Sequence, residues 1–561
     1  MTERTATDDA AAPARPRKAK ASPTGKAKAS KPRATKPALP TGPITLRWDL
    51  AELPSSQHKA GLAGLALCVE ALGRDHDRKG VCDCDLDASG LTLRVDRDGM
   101  QALFDDVYAA EREEQERPNR LQGVEPKEVR VRDVVDDKGI TKQKTFYVYE
   151  PFVPTGRLIA EWDQPAEGGK QLWLKLWRDV VWSILRGIPA QRGPYEARGN
   201  REPIQDGAEE WDALAGSPDA RVDLPSTYYL GAQAQSAENV AFRDIVRLRF
   251  LLHFWPFAVA IYVPAKVGRD GDRAFEGYAL AMPDVTDLEA FVFAWRRLAR
   301  ERNPAPSGFR PRDAIVDVAG EAGLDVSLRV FELLQREAGS ALTRPHLAAI
   351  DVFHVEKEGN NIRMRSVARV DPRRERVDAY GRVRGRYWSP LFRRQRIGNI
   401  LETAVEATWE RGFGRLCSTQ PVELTIANKH FRHDCRIAFT EVEMSDTESP
   451  DGRSLEELVF RVVQAYVFGH LKSKYDLEWK EVAGKGEESA YNEKKEKLAR
   501  EAFLGVRSRT GADFVAYFTG TLCSVHQRVG QQGYLRLAQA MHDPNEVERL
   551  RSLTLLALAA V

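Results

Sequence analysis

Apolar residues return at helical or strand spacing along most of the chain, and two stretches break that rule. The first is residues 1–43, built of Ala, Pro, Lys, Thr and Ser with almost no large apolar side chains. Such a segment buries too little surface to offset the entropy of ordering it, so a disordered basic arm is expected. Periodicity starts at Ile44-Thr45-Leu46-Arg47-Trp48, which reads as a strand. Leu62, Leu65, Ala66, Val69 and Leu72 then fall on one helical face, with Ser55 or Ser56 as the cap. Leu91–Val95 predicts a strand and Met100–Glu114 a helix. Gln171–Arg186 predicts a helix with Trp173, Trp177, Val180, Val181 and Ile184 on one face and Gly187 as its stop. Trp173, Trp177 and Trp182 read better as core packing than as a base-stacking surface.

Farther on, two hairpins are expected. Phe257–Pro264 and Phe275–Met282 flank Arg269-Asp270-Gly271-Asp272-Arg273, and Ala349–Val355 and Ile362–Val370 flank Glu358-Gly359-Asn360-Asn361. Ser389-Pro390 opens a helix expected to run through Arg411. The second break in the pattern is Glu443–Gly452, rich in Ser, Asp and Pro, which reads as a linker. Beyond it Ser454 and Glu457 form a capping box, and Glu488–Gly505, Thr510–Gln527, Gly530–His542 and Asn545–Ala560 continue at helical spacing. The fold class expected is α+β and multidomain: the arm 1–43, a mixed body 44–445, and an all-α bundle of about five helices over 446–561.

Charge changes this picture locally. The 561 residues sum to only +2, yet Arg363–Arg396 carries twelve Arg and no Lys against Asp371, Glu375 and Asp378. A basic island on a near-neutral body is the footprint of a phosphate-binding surface, and the planar guanidinium suits phosphate. A solvated face of internal ion pairs is the alternative. Arg373, Arg374, Arg376, Arg393, Arg394 and Arg396 are therefore the first candidates for a nucleic-acid path. Arginines in the opening turns of a helix oppose its dipole, a conflict that a bound anion would relieve.

Enzyme chemistry finds no anchor. No GxxxxGK[ST] loop occurs, and no nucleophile-elbow motif frames a serine. Cys82-Asp83-Cys84 has the wrong spacing for a zinc knuckle, and Cys417, His430, His433 and Cys435 match no zinc pattern. No metal and no cofactor is expected. Six cysteines are too few for a disulfide scaffold, and with no apolar signal core or 20-residue apolar run a cytoplasmic protein is expected.

Three separated stretches carry a resemblance. Leu53-Pro54-Ser55-Ser56-Gln57-His58-Lys59-Ala60-Gly61-Leu62 is one. Trp173-Leu174-Lys175-Leu176-Trp177-Arg178-Asp179, with Pro194-Tyr195-Glu196-Ala197-Arg198 after it, is the second. Arg500-Glu501-Ala502-Phe503-Leu504 to Gly520-Thr521-Leu522-Cys523-Ser524-Val525 is the third. They resemble the large subunit of a type I CRISPR Cascade effector complex of the Myxococcus (Myxan) subtype. The resemblance implies a non-catalytic subunit bound to the guide RNA near its 5′ handle, beside Cascade backbone and guide-processing subunits. It implies recognition of the protospacer-adjacent motif in double-stranded target DNA, while guide pairing reads the rest. It further implies recruitment of a trans-acting helicase-nuclease in antiviral defence; some relatives serve transposons instead.

Further candidates for contact with nucleic acid are Lys170 and Gln171 after Gly168-Gly169, Asn360-Asn361 and Asn428-Lys429, each also an ordinary turn by composition. In the bundle they are Lys472, Lys474, Arg507 and Arg509. The bundle resembles a Cascade small subunit, and Met444 offers an internal start for one. The alternatives are a free-standing metal-dependent RNA-processing nuclease using His76, Asp77, His430 and His433, and a regulatory or structural protein without nucleic acid.

Overall fold

A computed structural model describes residues 39–561 apart from 122, 136–140, 163–170, 186–191, 226–227, 231–241, 269–271, 339–345, 360, 403–407, 446–453 and 525–528. The expected arm, apart from 39–43, lies outside the described residues, as do Gly168, Gly169, Lys170 and Asn360. Residues 40–561 form one compact unit.

The helix Ser56–Leu72 is the axis of the first half. Ser55 caps it, its Oγ accepting from His58 N at 3.4 Å. Gly61 and Gly64 let the chain at Leu251–Phe254 close in, because a Cβ there would sit 2.4 and 2.0 Å from the Leu251 and Phe254 carbonyl oxygens. Around it pack a three-stranded antiparallel sheet (Ile44–Asp49, Gly90–Val95, Cys82–Asp87) and the strand Tyr278–Val285. Ser55 Oγ, His58 and Asp244 stand in line at 2.8 and 3.1 Å, an order familiar from hydrolases. Here the serine is the helix cap, and Tyr229 OH also donates to Asp244 at 2.5 Å. The line thus ties the start of the helix to the strand Phe242–Ile245.

Tyr278–Val285 belongs to the larger sheet, ordered Arg273–Phe275, Ala260–Val267, Tyr278–Val285, Leu347–Glu358, Asn361–Val370, all antiparallel, with Ile315–Val316 added parallel to Ala260–Val267. Both expected hairpins are present. The second turns at Gly359, whose φ of 61° lies in the left-handed region where glycine carries no steric cost. The expected helix Met100–Glu114 is shorter: it spans Arg97–Val107, and Ala110–Arg112 and Gln115–Arg117 are strands.

The Trp-rich helix runs Leu172–Ser183. Trp173 and Trp177 are buried, and their indole N–H groups donate to the carbonyls of Asn303 (3.0 Å) and Pro256 (2.9 Å). Apolar faces inward and polar edges satisfied make these two rings core.

From Arg374 onward the described chain is helical. Pro390–Glu402 is the helix expected to reach Arg411; its described part stops at Glu402. Ser454 Oγ accepts from Glu457 N at 3.2 Å, so Ser454 caps the helix Leu455–Tyr475. The last helix, Pro544–Ala560, is buried from Leu550 to the end. It packs on Leu455–Tyr475, Glu488–Arg507 and Gly530–His542, and also on Phe413–Thr419 and Lys429–Ser445. The expected linker begins inside Lys429–Ser445, which contains Met444, and 446–453 lie outside the described residues.

Candidate nucleic-acid interface

Eleven of the twelve arginines of 363–396 sit on a strand and two helices, Arg373 stands at a helix cap, and each element treats them differently. On the strand Asn361–Val370 they pair across the ladder: Arg363 with Glu358 (3.2 Å), Arg365 with Glu356, and Arg369 with Asp351 (3.0 Å) and Asp284.

The helix Arg374–Arg386 has an inner and an outer face. Tyr380 and Arg384 point in, toward a buried acidic cluster on the helix Glu321–Ala338 and the bend before it, at Asp317. Asp325, fully buried, accepts from Tyr262 OH (2.7 Å), Tyr380 OH (3.2 Å), Arg329 (2.7 Å) and Arg384. Glu321 accepts from Tyr380 OH at 3.1 Å and from the Asp317 amide at 2.6 Å. Burial, with Asp317 nearby, pushes the Glu321 carboxyl up to about 7. Arg393, from the next helix, lies 2.7 Å from Asp317 and donates to the Tyr387 carbonyl at 3.1 Å. Burial opposes its charge and Asp317 more than restores it.

The outer face is a stripe one turn apart: Arg374, Asp378, Arg382, Arg386. Arg374 spans Asp378 (3.4 Å) and Gln335 (3.1 Å) and stays exposed, and Arg382 is exposed with no partner among the described residues. Arg373, at the N-cap, pairs with Asp371 at 2.7 Å and is 65% exposed. Arg376 is half-buried. On Pro390–Glu402, Arg394 is exposed without a partner among the described residues, while Arg396 lies over the rings of Tyr387 (5.9 Å) and Trp409 (5.6 Å). Of the six first candidates, then, Arg393 is held by a buried carboxylate and Arg396 by two rings. Arg373, Arg374 and Arg394 face solvent, and Arg382 and Arg386 join them.

The stripe ends at a corner. Tyr387 is buried, Trp388 is 59% exposed, and Ser389 is the buried cap of Pro390–Glu402, its Oγ accepting from Phe392 N at 3.4 Å. Asp434, fully buried on Lys429–Ser445, accepts from Trp388 N (3.0 Å) and Ser389 N (2.6 Å). Burial keeps its carboxyl above the usual range in spite of those N–H groups. The His433 ring stacks on the Trp388 indole at 4.4 Å and 11°, and His430 meets it edge-on at 5.9 Å. Asn428 is the cap of this helix, its Oδ1 accepting from His430 N (2.9 Å) and Phe431 N (3.1 Å), which leaves exposed Lys429 as the cation of that pair.

Residues 81–340 match the family model for the Type I-B CRISPR Cas8b N-terminal domain, and residues 347–561 that for the Type I-B CRISPR Cas8b C-terminal domain. The chain belongs to the Cas8b large subunits of type I CRISPR effector complexes. No curated protein matches it. The arginine stripe and the Trp388 corner both lie in the matched Cas8b C-terminal domain.

Gln171 belongs to the Cas8b N-terminal domain and stands elsewhere. It holds the left-handed conformation (φ 38°, ψ 53°) at the start of the Trp helix, on the wall of a cleft of about 880 Å³. Arg117, Arg120, Lys175, Arg178 and Phe309 also line that cleft. Lys175 Nζ lies 5.1 Å from the centre of the Phe309 ring, which is 75% exposed, and burial lowers the lysine's pKa. Asn361 is exposed at the hairpin tip opposite Glu358.

The four bundle cations are mostly engaged. Arg507 donates to the Ser418 (3.2 Å) and Gln420 (2.8 Å) carbonyls, and Arg509 covers the Tyr517 ring at 4.4 Å beside Asp513. Lys472 pairs with Glu478, and Lys474 is exposed. Among the described residues no three His, Cys, Asp or Glu converge as a metal site. Cys417 and Cys435 are buried thiols, the first pushed up to about 12 by burial. No described helix is long and apolar enough to cross a membrane.

Trp388 and Phe309 are functional candidates that sequence reasoning missed. A tryptophan beside a helix start reads as core by default, and only its place between an arginine run and a Ser-Pro cap marks it out.

Proposed function

We propose that this Cas8b chain binds the guide RNA handle and target DNA as the large subunit of Cascade, through the outer arginine face of 373–394. The observation that carries the reading is the pair Arg382 and Arg394, exposed and without a partner among the described residues, while the buried carboxylates hold Arg384 and Arg393. Phosphates are met by such outward guanidinium groups. In the assembled complex, Arg374→Gln, Arg382→Gln and Arg394→Gln together lower target affinity, and the slope of log K against log salt falls by about one unit for each phosphate no longer neutralised. An unchanged slope would sink the interface.

The same reading extends to the adjacent motif, with Gln171 and the cleft of Lys175 and Phe309 as its reader, and to recruitment of a trans-acting helicase-nuclease. Gln171→Ala weakens binding to duplex targets while sparing pre-opened strands; equal loss on both counts against motif reading. The Myxan subtype rests on the three resembling stretches. A second polypeptide started at Met444 would carry every helix from Leu455 on. A C-terminal tag on purified complexes shows it as a short second band, and a single full-length band overturns it.

A further inference from the structure

Trp388 is an exposed ring at a corner of the fold. Its neighbours on both sides, Tyr387 and Ser389, are buried, and Trp388 itself is 59% exposed. Isolated exposed apolar side chains are common and need no function. Trp388 differs because polar groups are organised to hold it. The buried Asp434 fixes the backbone through the amides of Trp388 and Ser389 at 3.0 and 2.6 Å. Its other neighbour is His433, whose Nδ1 lies 3.3 Å from Asp434 Oδ1. The imidazole so placed lies nearly parallel to the indole, at 11° and 4.4 Å, and His430 closes one edge at 5.9 Å and 63°. One face of the indole is therefore backed by a ring, and much of the remainder meets solvent. Exposed cations flank the corner in the chain: Arg386 two residues before it, Arg394 one and a half turns into the following helix, and Lys429 at the head of the histidine helix.

We propose that Trp388, backed by His433, is a stacking platform for one unpaired base of single-stranded nucleic acid, with Lys429 and Arg394 set for the adjoining phosphates. A ring backed by a second ring and pinned through its own amide loses little freedom when a base stacks on it. Every base has a π face, so such a platform tolerates any sequence. The strand has two sources, the guide RNA and a DNA strand opened at the target, and their shared chemistry is an unstacked base followed by phosphate. The proposal rests on the reading of this chain as a nucleic-acid-binding large subunit.

The test uses the full chain with fluorescent oligo-U and oligo-dT, and the assembled complex with its guide. Trp388→Leu keeps the apolar bulk and removes the π face; Trp388→Phe keeps both in smaller form. Leu is expected to lower oligonucleotide affinity about 5- to 100-fold with the salt slope unchanged, Phe to retain most of it, and His433→Ala to fall between. Ultraviolet crosslinking of the complex then joins Trp388 to a guide nucleotide or to a target nucleotide, which identifies the source. Affinity of Trp388→Leu within twofold of the parent overturns the platform; if the Arg374, Arg382 and Arg394 substitutions still lower the slope, the interface reading stands without it. If neither set changes binding, both fall. Loss of a protein subunit from the Trp388→Leu complex with no crosslink at Trp388 also overturns it, because the corner is then a protein contact. Equal unfolding of the Leu and Phe variants overturns it as well, since the ring is then structural.

Discussion

Arg384 and Arg382 are two residues apart on one helix, and they do opposite things. Arg384 turns in to Asp325, where Arg329, Tyr262 and Tyr380 converge on the same carboxylate. Arg382 turns out and meets no described partner. Arg393 and Arg394 repeat the contrast on the next helix, one held by Asp317 and the other exposed. The positive island is thus two populations. The inner one is held by buried carboxylates and ties the sheet to the helices; of the outer one, Arg373 and Arg374 pair with Asp371 and Asp378, while Arg382 and Arg394, with no described partner, supply the field. Counting arginines measures their sum, while the partners decide the division.

Breaking the inner population should give the largest effect. Asp325→Ala leaves Arg384 half-buried without its carboxylate and Arg329 with Asp313 alone, and loss of one partner of a buried ion pair costs about 3–5 kcal/mol. Urea unfolding of the full chain measures it, and a loss under 1 kcal/mol would mean that the inner cluster is wet and carries no such role.

Proton linkage at Glu321 sharpens the same contrast with a smaller effect. Its carboxyl titrates near 7 when folded, against 4.5 ordinarily. The folded state therefore binds the proton more tightly than the unfolded state between those values. Stability from this group is present below the unfolded pKa and is lost as pH rises through the folded one, on the order of 3 kcal/mol in all. Glu321→Gln should flatten the decline between pH 5 and 8. A variant whose stability falls as steeply as the parent's places the linkage elsewhere. Arg382 and Arg394 meet no described partner, and substituting them should leave the pH profile unchanged.

Local signals in the sequence reached some of this and long-range pairing hid the rest. The hairpin of Leu347–Glu358 with Asn361–Val370 is legible because alternation and a Gly-Asn turn are local signals. So is the cap at Ser454, where hydroxyl and carboxylate stand three residues apart. The helix predicted to reach Glu114 stops at Val107, and the chain then turns into short strands whose partners, Phe152–Pro154 and Thr141–Tyr149, lie some way along the chain. Long-range pairing overrides local periodicity there. The site is hidden for the same reason. Arg384 and Arg393 find their carboxylates 59 and 76 positions upstream, and no local pattern announces that. Asn428 reads as a contact by composition and is a cap in the fold; its two amide bonds are local, so the helix signal is there, masked by the loop composition around it.

Arg507 tests whether an inward arginine must face a carboxylate. Its guanidinium meets the Ser418 and Gln420 carbonyls at the end of Phe413–Thr419. Hydrogen bonds from a charged group to such acceptors are worth about 1.5–3 kcal/mol. Arg507→Gln should therefore lower stability by roughly that amount without altering the salt slope. A fall in slope would return it to the nucleic-acid contacts.

Exchanging arginine for lysine separates the two populations by chemistry, and its outer half gives the smallest effects. An outward arginine that meets a phosphate acts chiefly through its charge, and lysine supplies the same charge from a flexible stem. Arg382→Lys and Arg394→Lys should change stability by less than about 0.5 kcal/mol, as exposed substitutions do. They should also keep the salt slope, since counterion release counts charges and not their shape. An inward arginine works through its planar fork. Arg393 reaches Asp317 and the Tyr387 carbonyl at once, which a single ammonium on a shorter reach does poorly. Arg393→Lys should therefore destabilise by roughly 1–3 kcal/mol, the usual cost of a buried polar group left unsatisfied, while binding per folded molecule stays the same. If Arg382→Lys instead lowers affinity and Arg393→Lys is neutral, the division is inverted: the outer guanidinium would be reading a planar partner such as a base edge, and the inner one would be holding only charge.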